Sequence, residues 1–201
     1  FVILLSCEGR THSQFLASRV VRLYPAYLLA VPLTWTVTTL WGQPNLQTSF
    51  SEMFVNLTML QQFLRIKNVD GIYWTLAREI IFYGMVFTFL LARRIRWFEW
   101  FLWVWLAASV ALLMSPAHRY FVYAINADYS GYFAFGATLF FLLRDGPSRL
   151  RLGLLVASVV VMHLQAALEA ERMELSPGWP HPAWLVILVN SCFVLALGIL
   201  V

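Results

Sequence analysis

Charge is scarce in this chain. Only 12% of its 201 residues are Asp, Glu, Lys or Arg, against about a quarter in a soluble domain. That excludes an ordinary water-covered globule. Cysteine is scarcer still: Cys7 and Cys192 lie far apart, in or beside apolar runs. Neither has a metal-ligand or redox spacing, so both read as small buried hydrophobes rather than a disulfide framework. There is no nucleotide-cradling glycine loop, no zinc motif, no internal repeat and no low-complexity tract. No charged segment with a small-residue cleavage site marks a signal peptide. The net charge of +4 therefore says nothing about nucleic acid until the charges are placed.

Apolar surface is what the chain has. It is 61% hydrophobic, with nine Trp and sixteen Phe. About 20 residues cross a bilayer core as a helix. Six segments qualify or nearly so: 23–41, 74–92, 98–114, 127–143, 152–168 and 184–201, with 1–6 as the tail of a seventh. The expectation is an all-α, polytopic helix bundle forming one integral-membrane domain over 1–201. Both ends fall inside apolar runs, "FVILLS" and "FVLALGILV", so the domain is expected to be truncated at both.

The loops carry a sidedness signal. Alternate loops 7–22, 93–97 and 144–151 hold nine of the fourteen basic residues. The intervening loops 42–73, 115–126 and 169–183 hold only Arg65, Lys67, Arg119 and Arg172. By the positive-inside rule the first set is cytoplasmic. In the long outer loop, Ser49 and Glu52 have the spacing of a capping box. They predict a short amphipathic helix on or dipping into the outer interface. Its apolar face is Met53, Leu57 and Leu60, or Phe54, Leu57 and Met59. Asn56-Leu57-Thr58 matches a glycosylation sequon, a three-residue pattern best read as coincidence.

Two groups of charges need an explanation. Arg78 and Glu79 are consecutive inside the apolar run "WTLAREIIFYGMVFTFLLA". A central charge costs about 2.5–3.5 kcal/mol on insertion scales. Neighbours on a helix point about 100° apart, so the two cannot cancel one another. Arg78 can snorkel to headgroups. Glu79 is shorter and shares a face with Thr75, Phe82 and Tyr83, which predicts an inward, polar-facing side. On residues alone, a structural polar contact is favoured over catalysis. Arg19 and Arg22 form the second group. They precede Pro25, read as a first-turn proline, and so predict an anion site at a helix N-terminus. The ordinary alternative is the sidedness signal alone.

The order "SRVVRLYPAYLL", "NLTMLQ", "VDGIYWTLAREIIFY" resembles the acyltransferase 3 family of multi-span membrane O-acyltransferases. Arg19, Arg22, Pro25 and Tyr27 match its first motif, and Asn56 and Thr58 its second. Trp74, Thr75, Leu76, Glu79, Phe82 and Tyr83 match its third. The likeness is strongest over 1–92; beyond it, "YFAFGATLFFLL" resembles a later glycine-containing helix. Arg78 departs from the pattern, where an apolar residue is commoner. The resemblance implies an acyl-CoA co-substrate, acetyl-CoA in the first instance, with no bound cofactor or metal. Its acceptor would be a hydroxyl of a cell-envelope sugar or glycolipid, modified at a bacterial inner membrane without nucleic acid. It implies Arg19 and Arg22 as donor-phosphate ligands and Glu79 as the catalytic-site carboxylate, supported by Asn56, Thr58 and Tyr83. The family histidine is expected in a helix ahead of Phe1. His12, His118, His163 and His181 do not occupy that position and read as loop or packing residues. A transporter or flippase for a lipid-linked sugar is the alternative, since intramembrane Glu and Arg also mark substrate paths.

Overall fold

The computed structural model describes residues 1–115, 119–174 and 183–199. These are helical, with no strand among the described residues. Among the described residues, four helical segments are long and apolar enough to cross a membrane: His12–Trp41, Gly71–Leu91, Ile95–Leu113 and Arg149–Arg172. The segments expected at 127–143 and 184–201 form helices of 16 and 17 residues, Ser130–Asp145 and Ala183–Ile199. The first is shorter than the usual spanning length, and the second, over its described residues, lies at the lower end of it. The chain divides into two compact units, Gly9–Ala92 and Phe1–Glu8 with Arg93–Val201.

In the first unit the long helix, His12–Trp41 (called α2, after α1 at Val2–Leu5), begins well before the expected 23. Thr11 explains the start. Its hydroxyl accepts from the Gln14 N–H, and the Gln14 side chain accepts in return from the Thr11 N–H, at 3.3 and 3.0 Å. This is a capping box that hydropathy alone does not see. Pro25 and Pro32 therefore sit inside the helix, not at its first turn. Proline removes a backbone donor and crowds the preceding turn, a defect that membrane helices tolerate. Leu29, Leu33, Val37 and Leu40 are exposed, Leu29 by 77%. An apolar face of that size belongs against lipid.

The connection after α2 turns back along it. The Trp35 indole donates to the Thr48 carbonyl at 2.9 Å, the Tyr27 hydroxyl to the Asn56 carbonyl at 2.8 Å, and the Tyr24 hydroxyl to the Thr58 carbonyl at 3.0 Å. From Trp35 to Tyr24 is roughly 16 Å at about 1.5 Å per residue. The short helix Phe50–Asn56 (α3) thus descends beside α2. The predicted Ser49–Glu52 capping box is present. Neither predicted apolar triplet is buried as a set. Met53 and Met59 are buried, whereas Phe54 and Leu60 are exposed. Helical arithmetic fails because α3 stops at Asn56 and Met59 turns left-handed, φ 60°.

The return segment is held from within. Asn56, 0% exposed, donates to the carbonyls of Glu52 and Lys67 at 2.8 and 2.9 Å and accepts the Val69 N–H at 3.0 Å. Gln61 reaches the Tyr27 hydroxyl and the Asn68 side chain, both at 3.2 Å. Lys67 donates to the carbonyls of Asn45 and Gln47. Irregular backbone is tolerated at membrane depth only when its polar groups are satisfied in this way. Tyr27, Val31, Met53, Met59 and Val69 close the core beneath it. The helix Trp74–Leu91 (α4) then runs antiparallel to α2. The ring pairs Tyr27–Tyr73, Phe15–Tyr83 and His12–Phe87 set their register. His12 is accordingly the first residue of a helix, not part of a loop.

The second unit packs the helices Phe98–Leu113 (α5), Arg119–Ala124 (α6), Ser130–Asp145 (α7), Arg149–Glu174 (α8) and Ala183–Ile199 (α9) with α1. α8 outruns the expected 152–168 at both ends, so Arg149, Arg151 and Arg172 are helical rather than in loops. At Gly131 an added Cβ would lie 2.6 Å from the Met162 nitrogen, so α7 and α8 can approach only with glycine there. The Gln165 amide secures that crossing, donating to Ala127 O and Ser130 Oγ and accepting the Gly131 N–H. Arg151 makes a two-pronged pair with Glu99, both contacts at 3.0 Å. Cys7 is buried as expected, but Cys192 is exposed on α9.

Candidate functional site

A cleft of about 300 Å³ opens in the first unit between α2, α4 and the turn at Thr58–Leu60. Its walls are mostly apolar: Phe15, Leu16, Val20, Leu23, Met59 and Ile80 among them. Its cation is Arg19, only 6% exposed. The guanidinium carbon lies 5.5 Å from the Phe15 ring centre and 5.6 Å from that of Tyr83. Nε makes one long contact with Ser18 Oγ, 3.4 Å, and Nη1 is buried with no hydrogen-bond acceptor. Aromatic faces partly compensate a buried cation, but a donor left unpaired in an apolar wall is costly. Arg19 is the charged side chain among the cleft's walls.

Tyr83 also lines the cleft. Its hydroxyl donates to Glu79 Oε1, one turn earlier on α4, at 2.5 Å. Glu79 is half-buried and does not line the cleft itself. Cation, phenol and carboxylate are thus brought together, with the phenol between. Arg78 is also half-buried. Thr75, expected on the same inward face as Glu79, is exposed and donates to the Ile72 carbonyl. It bonds to the preceding 3-10 turn because it sits at the start of α4.

The other predicted residues divide. Thr58 lines the cleft; its hydroxyl donates to Val55 O and accepts the Leu60 N–H, fixing the turn that forms one wall. Asn56 does not line it, and its amide is occupied by the return segment. Arg22 is exposed and absent from the walls. The expected N-terminal anion site is overturned. Arg19 and Arg22 lie more than a turn inside α2, where every nearby amide bonds within the helix and offers nothing to an anion.

Sequence reasoning missed Phe15, Tyr24, Met59 and Gly84 as wall residues. The signal for Phe15 was available: Phe15, Arg19 and Leu23 recur at four-residue spacing and share a helix face. It was hidden by reading 7–22 as a loop. Met59 was not accessible, since its position depends on a left-handed turn. His163 sits on α8, its Nδ1 2.8 Å from Val159 O and its Nε2 3.0 Å from Ser191 Oγ, an interhelical contact. His118 and His181 fall outside the described residues. Among the described residues no group of three His, Cys, Asp or Glu side chains could hold a metal.

Comparison with known proteins agrees with the motif resemblance. A family model described as an acyltransferase domain matches residues 1–201. No curated protein and no solved structure matches the chain. With the match covering the whole chain and long apolar helices carrying the site, the protein belongs to the acyltransferase 3 family of membrane proteins.

Proposed function

We propose that the protein transfers an acyl group from acyl-CoA to a hydroxyl of a cell-envelope sugar or glycolipid at a bacterial inner membrane. The observation that carries this is Arg19: a buried guanidinium with an unpaired N–H, at an apolar cleft, in an acyltransferase domain. In the reaction a general base takes the acceptor's hydroxyl proton, and the alkoxide attacks the thioester carbonyl. The tetrahedral intermediate collapses to the ester, and the thiolate leaves with that proton as free CoA. The resemblance assigns the base to a histidine; neither His12 nor His163 lines the cleft.

Arg19 and Arg22 act on the donor, but in different settings. Exposed Arg22 suits the hydrated phosphates of CoA, which guanidinium matches bidentately. Buried Arg19 suits the part of the donor that enters the cleft. Glu79 acts through Tyr83, holding the phenol at the cleft wall. Asn56 and Thr58 shape the return segment that closes the third side. The test is acyl transfer from acetyl-CoA by purified full-length protein, followed as free thiol and as ester on isolated envelope glycolipid. Transfer lost in Arg19→Ala supports the reading. Acyl-CoA that neither binds nor reacts, together with sugar-lipid translocation in vesicles, would favour the transporter alternative.

A further inference from the structure

Gly84 lies in the middle of α4, where glycine costs about 1 kcal/mol relative to alanine. A helix glycine is usually kept because another backbone comes close, as at Gly131. Gly84 has no such reason: a Cβ there would meet nothing within 4 Å. It is instead a wall of the cleft, on the same helix as Tyr83 and across from the Phe15–Arg19 face. What the glycine leaves is space. The cleft's volume of about 300 Å³ holds on the order of ten water-sized groups at roughly 30 Å³ each. An acetyl methyl would occupy about a tenth of that.

We infer that this cleft is the compartment for the donor's acyl chain, that Arg19 Nη1 receives the thioester carbonyl oxygen, and that Gly84 sets the chain length admitted. This rests on the acyl-CoA reading and deepens it. The occupant follows from chemistry on the walls. One buried N–H without an acceptor calls for one polar atom, and the apolar surface around it calls for an unbranched or lightly branched hydrocarbon attached to that atom. An acyl thioester has both. A sugar would leave its hydroxyls unpaired against Leu16, Val20, Met59 and Ile80. A phosphate would be desolvated against one guanidinium with no second cation on the walls. The donor is therefore a medium-chain acyl thioester in preference to acetyl. Each added methylene gains contact in the cleft until the space is full, and a side chain at position 84 shortens that limit.

The experiment measures binding of acetyl-, butyryl- and octanoyl-CoA by full-length protein in detergent, for wild type, Gly84→Ala and Gly84→Leu. Melting temperatures confirm that each variant is folded, and Gly84→Ala serves if Gly84→Leu is not. Wild type should bind octanoyl-CoA at least ten-fold more tightly than acetyl-CoA. That ratio should fall several-fold in Gly84→Ala and approach one in Gly84→Leu. Equal affinity for the three donors in wild type would overturn the chain compartment while leaving acyl-CoA binding intact. An unchanged ratio in folded Gly84 variants would overturn the role of Gly84. Native mass spectrometry supplies the remaining arm: a phospholipid retained by wild type and lost in Gly84→Leu, with no change in donor ratio, would make the cleft a lipid site. Failure of every acyl-CoA to bind wild type would sink the functional reading itself.

Discussion

The Tyr83 hydroxyl donates to Glu79 Oε1 from one turn away on the same helix, at 2.5 Å. Residues four apart on a helix share a face, so the carboxylate and the phenol form one unit, and the phenol is the end that reaches the cleft. Glu79 and Tyr83 should therefore fail together. Tyr83→Phe and Glu79→Gln are each expected to lower acyl transfer by roughly ten-fold or more, since a hydrogen bond to a charged group is worth about 1.5–3 kcal/mol. The double variant should be little worse than either single one, because Glu79→Gln takes the charge from the same contact that Tyr83→Phe removes. Arg78→Gln should lose modestly. Matched amounts of inserted full-length protein give the comparison. Additive losses in the double variant would separate the two residues, and full activity in Glu79→Gln with loss in Arg78→Gln would reverse their roles.

Asn56 makes a different prediction, about the fold. Its amide holds three backbone groups of the return segment. Asn56→Ala leaves the buried Val69 N–H without its acceptor and removes two further bonds, which costs about 1–3 kcal/mol. The variant should melt several degrees lower and be cleaved sooner by protease between Leu57 and Asp70. Expressed in a glycosylating host, the Asn56-Leu57-Thr58 sequon should stay unmodified, because the amide nitrogen is inside and engaged. A glycosidase-sensitive mobility shift would contradict this placement.

Much of this was legible in the residues and some was not. The Ser49–Glu52 cap could be read because a capping box is local: the two side chains meet within one turn. Four of the expected apolar segments were legible for the same reason, since hydropathy is also local. The start of α2 was missed because Thr11 and Gln14 are polar, and a hydropathy criterion ends a span where polarity begins. That error carried Arg19 and Arg22 to the wrong environment. The descent of 48–58 along α2 depends on side chains far apart in sequence, Trp35 with Thr48 and Tyr24 with Thr58. No local pattern encodes those pairings.

Acid should loosen the two helix ends that rest on carboxylates. Glu52 accepts the backbone N–H and hydroxyl of Ser49, and those bonds hold its carboxyl below the usual range. Asp145 is lowered by hydrogen bonds from Arg144, and also by the charge of Arg151. A carboxyl depressed in the folded state adds stability above its unfolded pKa, about 4. It loses that contribution as pH falls through the folded value. Melting temperature should accordingly be level from pH 7 to about 5 and decline below. Glu52→Gln should flatten part of the decline, and an identical acid profile in that variant would remove Glu52 as a cause.

Salt should distinguish the two arginines. Arg22 is exposed, and attraction between an exposed charge and a phosphate is screened within about 8–10 Å near physiological ionic strength. Arg19 is 6% exposed between two aromatic rings, where ions do not penetrate. Donor affinity in Arg22→Ala should fall at low salt and converge on wild type as salt rises. Arg19→Ala should lose affinity by roughly ten-fold or more at every salt concentration, as expected for a buried charge-assisted hydrogen bond of about 1.5–3 kcal/mol. Arg19→Lys should recover little. Lysine offers a point charge in place of a planar fork that stacks on rings and donates from a fixed position. Its shorter reach also leaves the Tyr83 ring uncovered. The measurement is acetyl-CoA and octanoyl-CoA binding across a salt series for the three variants and wild type. Parallel salt dependence in Arg19→Ala and Arg22→Ala would mean that both arginines meet the donor in water. The cleft would then not be where the acyl group is held.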